Sequence, residues 1–343
     1  AEAFGLELVA DKTEMEGLRD FISQGRVLTE NNYSQGMLPQ GCTVFHNLWG
    51  TAPGCAFEAE GKTVIMMPGP PEECVPMFKT YGMPYLQKLS GAHIVSHTVN
   101  IFGMGESTVD SIFAPEMNAM SNPSMAPYAK ECDCLLKITA KAATMAKAEE
   151  MIAPVMEEVK TRLGEVVYGT DVDCLEEAVI KLLEAKPLSF AAAESCTGGY
   201  IAKRFTDLPG ASRFFKGGMV TYTNEAKAAL LGIDPALIEE KGAVSFEVAK
   251  AMAENCRRIL GSDVGLGVTG LAGPDGDGIH EVGTVFVSMA VAEGTYVKEL
   301  HMGEYRTRSF IRRMAGNHAF DMLRRHIRGL PIGDGVIMHS GLV

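Results

Sequence analysis

The sequence predicts an α/β chain in three parts. Three observations carry that prediction. Short apolar runs alternate with amphipathic helical stretches along the chain. Residues 94–169 read β-α-β-β-α-β, the order of a small two-layer α+β domain. An apolar run at 188–193 enters a Ser-Cys-Thr-Gly-Gly turn and leaves it as a helical pattern, the strand-to-helix step of a layered α/β domain.

In the first part, residues 1–91, residues 13–24 form a candidate helix, and 43–45 and 63–67 are candidate strands. The run Pro68-Gly69-Pro70-Pro71 stops the second strand, and a helix follows from Glu72. Residues 47–54 form a Gly/Pro loop. In the second part, residues 92–170, strands are expected at 94–102, 135–140 and 165–168, with a short helix at 106–113 and a long one at 143–163. Met145, Ala148, Ile152, Val155, Met156 and Val159 fall near helical spacing there.

The third part, residues 171–330, opens with a helix at 174–185 whose Leu175, Ala178, Val179, Leu182 and Leu183 make one apolar stripe. After the 188–193 strand, a helix over 200–205 ends near Pro209-Gly210, and 218–222 is a strand. Asn224 is the expected cap of a helix at 225–231. Asp234 caps the next, with Pro235 in its first position, and Ser245 caps 246–260. Strands follow at 264–269, 282–291 and 295–301, a Gly/Asp loop lies at 271–278, and the last helix covers 309–328. The tail, 331–343, shows no periodicity and is read as loose. Domain joints fall near 90–93 and 169–173.

Composition narrows the function. A chain of 343 residues holds two or three domains. The net charge of −12 argues against direct nucleic-acid contact, while leaving room for an anionic small substrate where cations cluster. No apolar run is long enough to span a membrane, and the start lacks a signal peptide. The eight cysteines form no CxxC pair and no zinc spacing, the pattern of reduced thiols in a cytoplasmic protein. The first residue is Ala, so the start is processed or the sequence is a fragment.

The chemistry gathers in the third part. Ser195, at a strand-to-helix turn beside Gly198 and Gly199, can attack as a nucleophile or cap the helix, and the same turn suits a phosphate. Lys227 follows Tyr222 by five residues, and both fall at the Ser195 edge of a sheet with parallel strands. A desolvated Lys is one of the few bases that serves a Ser without His, and no His lies in these segments. The segment from Thr269 and Gly270 to Gly276 is rich in backbone N–H groups suited to an oxyanion or phosphate. Arg308 and Arg312, four apart at a helix start, can clamp a phosphate or form a surface cluster.

Together, Ala193-Glu194-Ser195-Cys196-Thr197-Gly198-Gly199, Val220-Thr221-Tyr222-Thr223-Asn224-Glu225-Ala226-Lys227, Gly242-Ala243-Val244-Ser245, Gly270–Gly276 and Val282-Gly283-Thr284-Val285 resemble the C-terminal domain of the CinA competence/damage-inducible family, in the family's order. The resemblance implies hydrolysis of nicotinamide mononucleotide to nicotinate mononucleotide and ammonia, a step of pyridine nucleotide salvage. It implies Ser195 as nucleophile with Tyr222 and Lys227 assisting, and Glu194, Cys196, Thr197, Gly198, Gly199, Thr269, Gly270, Arg308 and Arg312 lining the substrate. Two segments depart from the family: Thr269-Gly270-Leu271 stands where Ser-Gly-Ile is common, and Gly303–Arg308 is longer than Gly-Asp-Arg. Arg308, rather than Arg306, is expected at the phosphate because Ile311-Arg312 then keeps the family spacing.

Gly50–Gly54 and Met67–Pro71 resemble the family's molybdopterin-binding-like front domain, and 94–169 its middle domain. The front domain's early GTE motif and TGGxGPTxDD loop are absent, so the chain reads as a member that begins partway in. The amidase is expected to need no cofactor. A divalent metal belongs only to ADP-ribose pyrophosphatase chemistry in the front domain, whose Asp-bearing loop is missing. Nicotinamide mononucleotide is the expected partner, with no nucleic acid and no membrane, in a homo-oligomer. The other readings are a nucleotide-binding protein without turnover, a metal-dependent ADP-ribose pyrophosphatase acting through the front domain, and an interaction protein in competence or DNA repair.

Overall fold

The computed structural model describes residues 1–23, 30–332 and 338–339. Gln24 of the first expected helix, and 333–337 and 340–343 of the tail, lie outside the described residues. The chain divides into two compact units, Ala1–His93 with Ala142–Met145, and Ile94–Lys141 with Ala146 onward.

In the first unit, β1 (Leu8–Ala10) pairs antiparallel with β2 (Met37–Pro39), and helices α1 (Lys12–Ser23) and α2 (Glu30–Gln35) lie between them in sequence. A meander follows: β3 (Thr43–Phe45), β4 (Gly54–Ala59) and β5 (Lys62–Met66). Helices α3 (Pro71–Met77) and α4 (Met83–Ser90) complete the unit. Strand β4 is absent from the sequence reading. Its buried Cys55, Ala56 and Phe57 make too short an apolar run to stand out beside the loop.

The second unit begins with the middle segment. Its elements are β6 (His93–Ile101), α5 (Glu106–Ala119), β7 (Ser124–Ala129), β8 (Cys134–Ala142), α6 (Met145–Leu163) and β9 (Val167–Thr170), with sheet order β7-β8-β6-β9. Alternate residues of β8 (Cys134, Leu136, Ile138 and Ala140) are buried, as a one-faced sheet requires. Ala148, Ile152, Met156, Val159 and Leu163 of α6 supply the opposing stripe. Helix α5 runs past residue 113 to Ala119.

The remaining elements are α7 (Leu175–Ala185), β10 (Phe190–Glu194), α8 (Tyr200–Thr206), β11 (Phe215–Val220), α9 (Asn224–Leu231), α10 (Pro235–Lys241), α11 (Phe246–Leu260), β12 (Val264–Gly270), β13 (Thr284–Val291), β14 (Gly294–His301), α12 (Arg308–Arg328) and β15 (Met338–His339). They form one sheet in the order β11-β10-β12-β13-β14-β15. Strand β10 is parallel to both its neighbours, and β12, β13 and β14 run antiparallel to one another in turn. Phe190 and Ala192 face the core shared with α7, α8 and α12, and Ala191 and Ala193 the core shared with α11. A strand covered on both faces reads as a continuous apolar run, as this one does.

Three expectations are corrected. Strand β11 ends at Val220, paired with Glu194, so Tyr222 lies beyond it. Thr223, not Asn224, caps α9: its side chain accepts from Ala226 N, and Asn224 is already helical. In the tail, Met338–His339 pairs in parallel with β14. Asp234 and Ser245 cap α10 and α11 as expected. Among the described residues, no helix is long and apolar enough to cross a membrane.

Helix α11 lies tightly on β12, where a Cβ on Gly267 would sit 2.8 Å from both Ala249 O and Ala253 N. Gly267→Ala is therefore expected to destabilise the fold by about 1–3 kcal/mol in urea unfolding. An unchanged midpoint would show that this contact has slack.

Candidate active site

The turn at 195–199 is fixed by the elements that meet there. Ser195 N donates to Val268 O at 2.9 Å, extending the β10–β12 ladder by one bond, and Gly198 N closes onto Ser195 O at 3.0 Å. Gly198 (φ 59°) and Gly199 (φ 87°) take left-handed conformations, which favour glycine. Gly199 cannot cap α8 with a side chain. The Glu194 carboxylate does so from the strand before, accepting from Ile201 N at 3.0 Å and Ala202 N at 2.9 Å. A buried negative charge at a helix N-terminus is favourable on both hydrogen-bond and dipole grounds. From the other side, Arg312 grips the Thr197 carbonyl with Nε at 3.2 Å and Nη2 at 2.6 Å. Among the described residues, the N–H groups of Cys196, Thr197 and Gly199 meet no protein acceptor.

Lys227 comes to this turn from α9. The Thr223 cap starts the helix, and Lys227 N donates to Thr223 O at 3.0 Å, so the lysine sits in the first turn. Its side chain is 1% exposed. Nζ lies 3.0 Å from Ser195 Oγ and donates to Thr221 O at 3.0 Å. Among the described residues no carboxylate pairs with it, and burial pulls its pKa below the ordinary 10.5. Burial favours the neutral amine, and in that form Lys227 is a base in hydrogen-bond contact with the serine hydroxyl. Cys196, next to Ser195, is no rival. Burial pushes its thiol up to about 12 and keeps it protonated.

Tyr222 is exposed, and its hydroxyl accepts from Arg308 Nη2 at 2.7 Å. Arg308 Nη1 donates to Gly273 O at 2.6 Å, so this guanidinium joins the Tyr222 loop to the Gly-rich 271–278 loop. Two of its five N–H groups are used in these bonds, which leaves three for an anion. Arg306 instead stacks over the rings of Tyr305 and Phe310.

Ser195, Lys227, Thr197, Gly198 and Gly199 thus stand together, with Tyr222 and Arg308 joined to each other. Five expected substrate residues have no side chain free for a substrate. Glu194 caps α8. Cys196 is buried. Arg312 is occupied by the Thr197 carbonyl. Thr269 is buried and donates Oγ1 to Ala243 O at 2.7 Å. Gly270 lies in the β12–β13 ladder, where a Cβ would meet Thr284 O at 2.7 Å, and the neighbouring Leu271 N–H is taken by Thr284 O. The 269–271 stretch is therefore a strand end, and of these two stretches it is the Ser195 turn that has N–H groups without a protein acceptor among the described residues. Thr221 was invisible to the sequence reading because it acts through its main-chain carbonyl. The Thr197 and Thr221 hydroxyls are both buried without a hydrogen-bond partner among the described residues.

A CinA-like protein of Desulfovibrio desulfuricans is 43% identical over 339 residues, covering 98% of this chain and 79% of that protein. The chain belongs to the CinA family. The family model for the CinA C-terminal domain matches residues 172–327, and that for the damage-inducible protein CinA KH domain matches 96–169. A CinA-like protein of Dictyoglomus thermophilum is 41% identical over 332 residues, 96% of this chain and 80% of that one. The crystal structure of competence/damage inducible protein CihA from Agrobacterium tumefaciens covers 45% of this chain and 93% of its own, at 33% identity and a TM-score of 0.43.

The Lys227 assignment has a signature in stability. The unfolded chain holds the lysine proton up to 10.5, and the folded chain releases it at lower pH. In that window the unfolded state binds more protons, so stability rises with pH. Wild-type stability relative to Lys227→Met should therefore climb with pH below 10.5 and level off above it. A flat difference across the range would show an ammonium in the folded protein.

Proposed function

We propose that this CinA-family chain is a nicotinamide-nucleotide amidase of Ser–Lys type. The observation that carries the reading is the 3.0 Å approach of a buried, uncompensated Lys227 amine to Ser195 Oγ. Lys227 takes the hydroxyl proton while Oγ attacks the carboxamide carbon of nicotinamide mononucleotide. The N–H groups of Cys196 and Thr197 receive the oxyanion. The C–N bond breaks as Lys227 returns the proton to nitrogen, the Tyr222 phenol hydrogen-bonding the leaving group, and ammonia leaves. Water then attacks the acyl-enzyme with Lys227 again as base, giving nicotinate mononucleotide and restoring Ser195. Arg308, with its remaining N–H groups, and the N–H of Gly199 in the turn before α8 hold the 5′-phosphate. No step calls for a metal, so turnover is expected to survive EDTA.

The purified protein should release ammonia from nicotinamide mononucleotide, and Ser195→Ala and Lys227→Met should each remove all but a trace. Full turnover in Ser195→Ala would sink the nucleophile assignment.

The two arginines should separate kinetically. Arg308→Ala removes charged hydrogen bonds to the substrate and should raise KM by roughly 10–100-fold. Arg312→Lys weakens the grip on Thr197 O and should lower kcat about tenfold with KM nearly unchanged. A purely KM effect at Arg312 would return that residue to the phosphate.

A further inference from the structure

Helix α12 carries Arg308 and Arg312 in its first turns, so its position decides how the Thr197 carbonyl is held. Much of what fixes the helix comes from the middle segment. Arg324, about 18 Å along the axis from Arg312, is 0% exposed. It donates Nη1 to Val167 O at 3.1 Å and Nη2 to Glu165 O at 2.9 Å. Asp321 balances its charge, accepting from Nε at 2.8 Å and Nη2 at 2.6 Å. Arg325 pairs with Glu165 at 3.0 Å and with Asp321 at 2.9 Å. Midway along the helix, the ring of His318 meets Phe102 edge-on at 5.0 Å. At the near end, Arg313, beside Arg312, forms an ion pair with Glu131 in the β7–β8 turn. Lys130 of that turn donates to Asp173 O at 2.8 Å.

A buried guanidinium is tolerated only where its N–H groups find acceptors. Two of the acceptors of Arg324 are main-chain carbonyls of the middle segment. Sliding or tilting α12 against that segment would strip a buried charge of partners, so the helix is held in one register. The middle segment has its own core, in Leu136, Ile138, Ile152 and Val159. Phe102 and Tyr168 of this segment also pack into the core of the third part, and the polar clamp adds directional contacts to that apolar one.

We propose that the middle segment is a positioning element for the Ser195 site. It clamps α12 through Arg324 and Glu131, and α12 in turn keeps Arg312 on the Thr197 carbonyl. Arg324 acts through the helix and touches no reacting atom. The proposal leans on the amidase reading only for its kinetic readout.

The test uses the full chain with Arg324→Lys, which keeps the charge but loses the fork, and separately with Glu131→Gln and Glu165→Gln combined. Glu131 and Glu165 are 58% and 48% exposed, so the double variant is not a threat to folding. Amide hydrogen exchange at Ser195 and Gly198, whose N–H groups are hydrogen-bonded in the turn, is read beside kcat. Both variants should speed exchange at the turn, about tenfold in Arg324→Lys, and lower kcat by roughly three- to tenfold, with global unfolding little changed in the double variant. Wild-type exchange at Ser195 and Gly198 in the folded variants overturns the proposal. If Arg324→Lys does not fold, the double variant decides alone. A wild-type protein that releases no ammonia would defeat the amidase reading, while the exchange result would still decide the positioning role.

Discussion

A lysine amine buried without a counter-charge is the constraint on which the rest of this site depends. Two protein oxygens, Ser195 Oγ and Thr221 O, lie within hydrogen-bond distance of Lys227 Nζ. An ammonium would bring three N–H groups and a full charge to that place. A neutral amine brings two N–H groups and a lone pair, which the serine hydroxyl can fill. Other features follow from keeping the amine uncompensated. The carboxylate nearest in sequence to Ser195 is Glu194, and α8 engages it through the N–H groups of Ile201 and Ala202. The adjacent thiol, Cys196, is protonated because it too is buried.

The turn that carries Ser195 is a compact assembly of main-chain groups, and its partners come from distant stretches of the chain. Val268 supplies a carbonyl from β12 and Arg312 a guanidinium from α12. Behind α8, Arg204 forms a bidentate pair with Glu176 and reaches Asn317 at 2.7 Å. These contacts join α7, α8 and α12 on the face of the sheet opposite α11. The Ser195 turn is thereby tied to the helix that also meets the middle segment, and two segments matched by separate family models share one mechanical frame.

Much of this was legible in the residues. The apolar run at 188–193 announced a strand, and Asp234-Pro235 and Ser245 announced their helices. The failures have physical causes. Thr223 and Asn224 are both good caps, and the choice between them is made where the chain leaves β11, which no local preference encodes. Tyr222 favours strands, but β11 can pair only as far as β10 extends, to Glu194. The family resemblance implied Glu194 at the substrate, and the four-residue spacing of Arg308 and Arg312 suggested a phosphate clamp. A free helix N-terminus attracts a carboxylate as well as a phosphate does, and a carbonyl satisfies a guanidinium as well as a phosphate does. Spacing shows that such a side chain is near, but not which acceptor or donor it meets. The role of Thr221 rests on its main chain and has no residue signature.

The most direct test of the account is the titration of Lys227 itself, followed through its side-chain Cε resonance by NMR, with Lys227→Met used to assign the signal. The account predicts that this lysine loses its proton well before the exposed lysines, below the ordinary 10.5. Deprotonation at or above that value would mean an ammonium beside Ser195. The serine would then have no base, and the proposed chemistry would not stand.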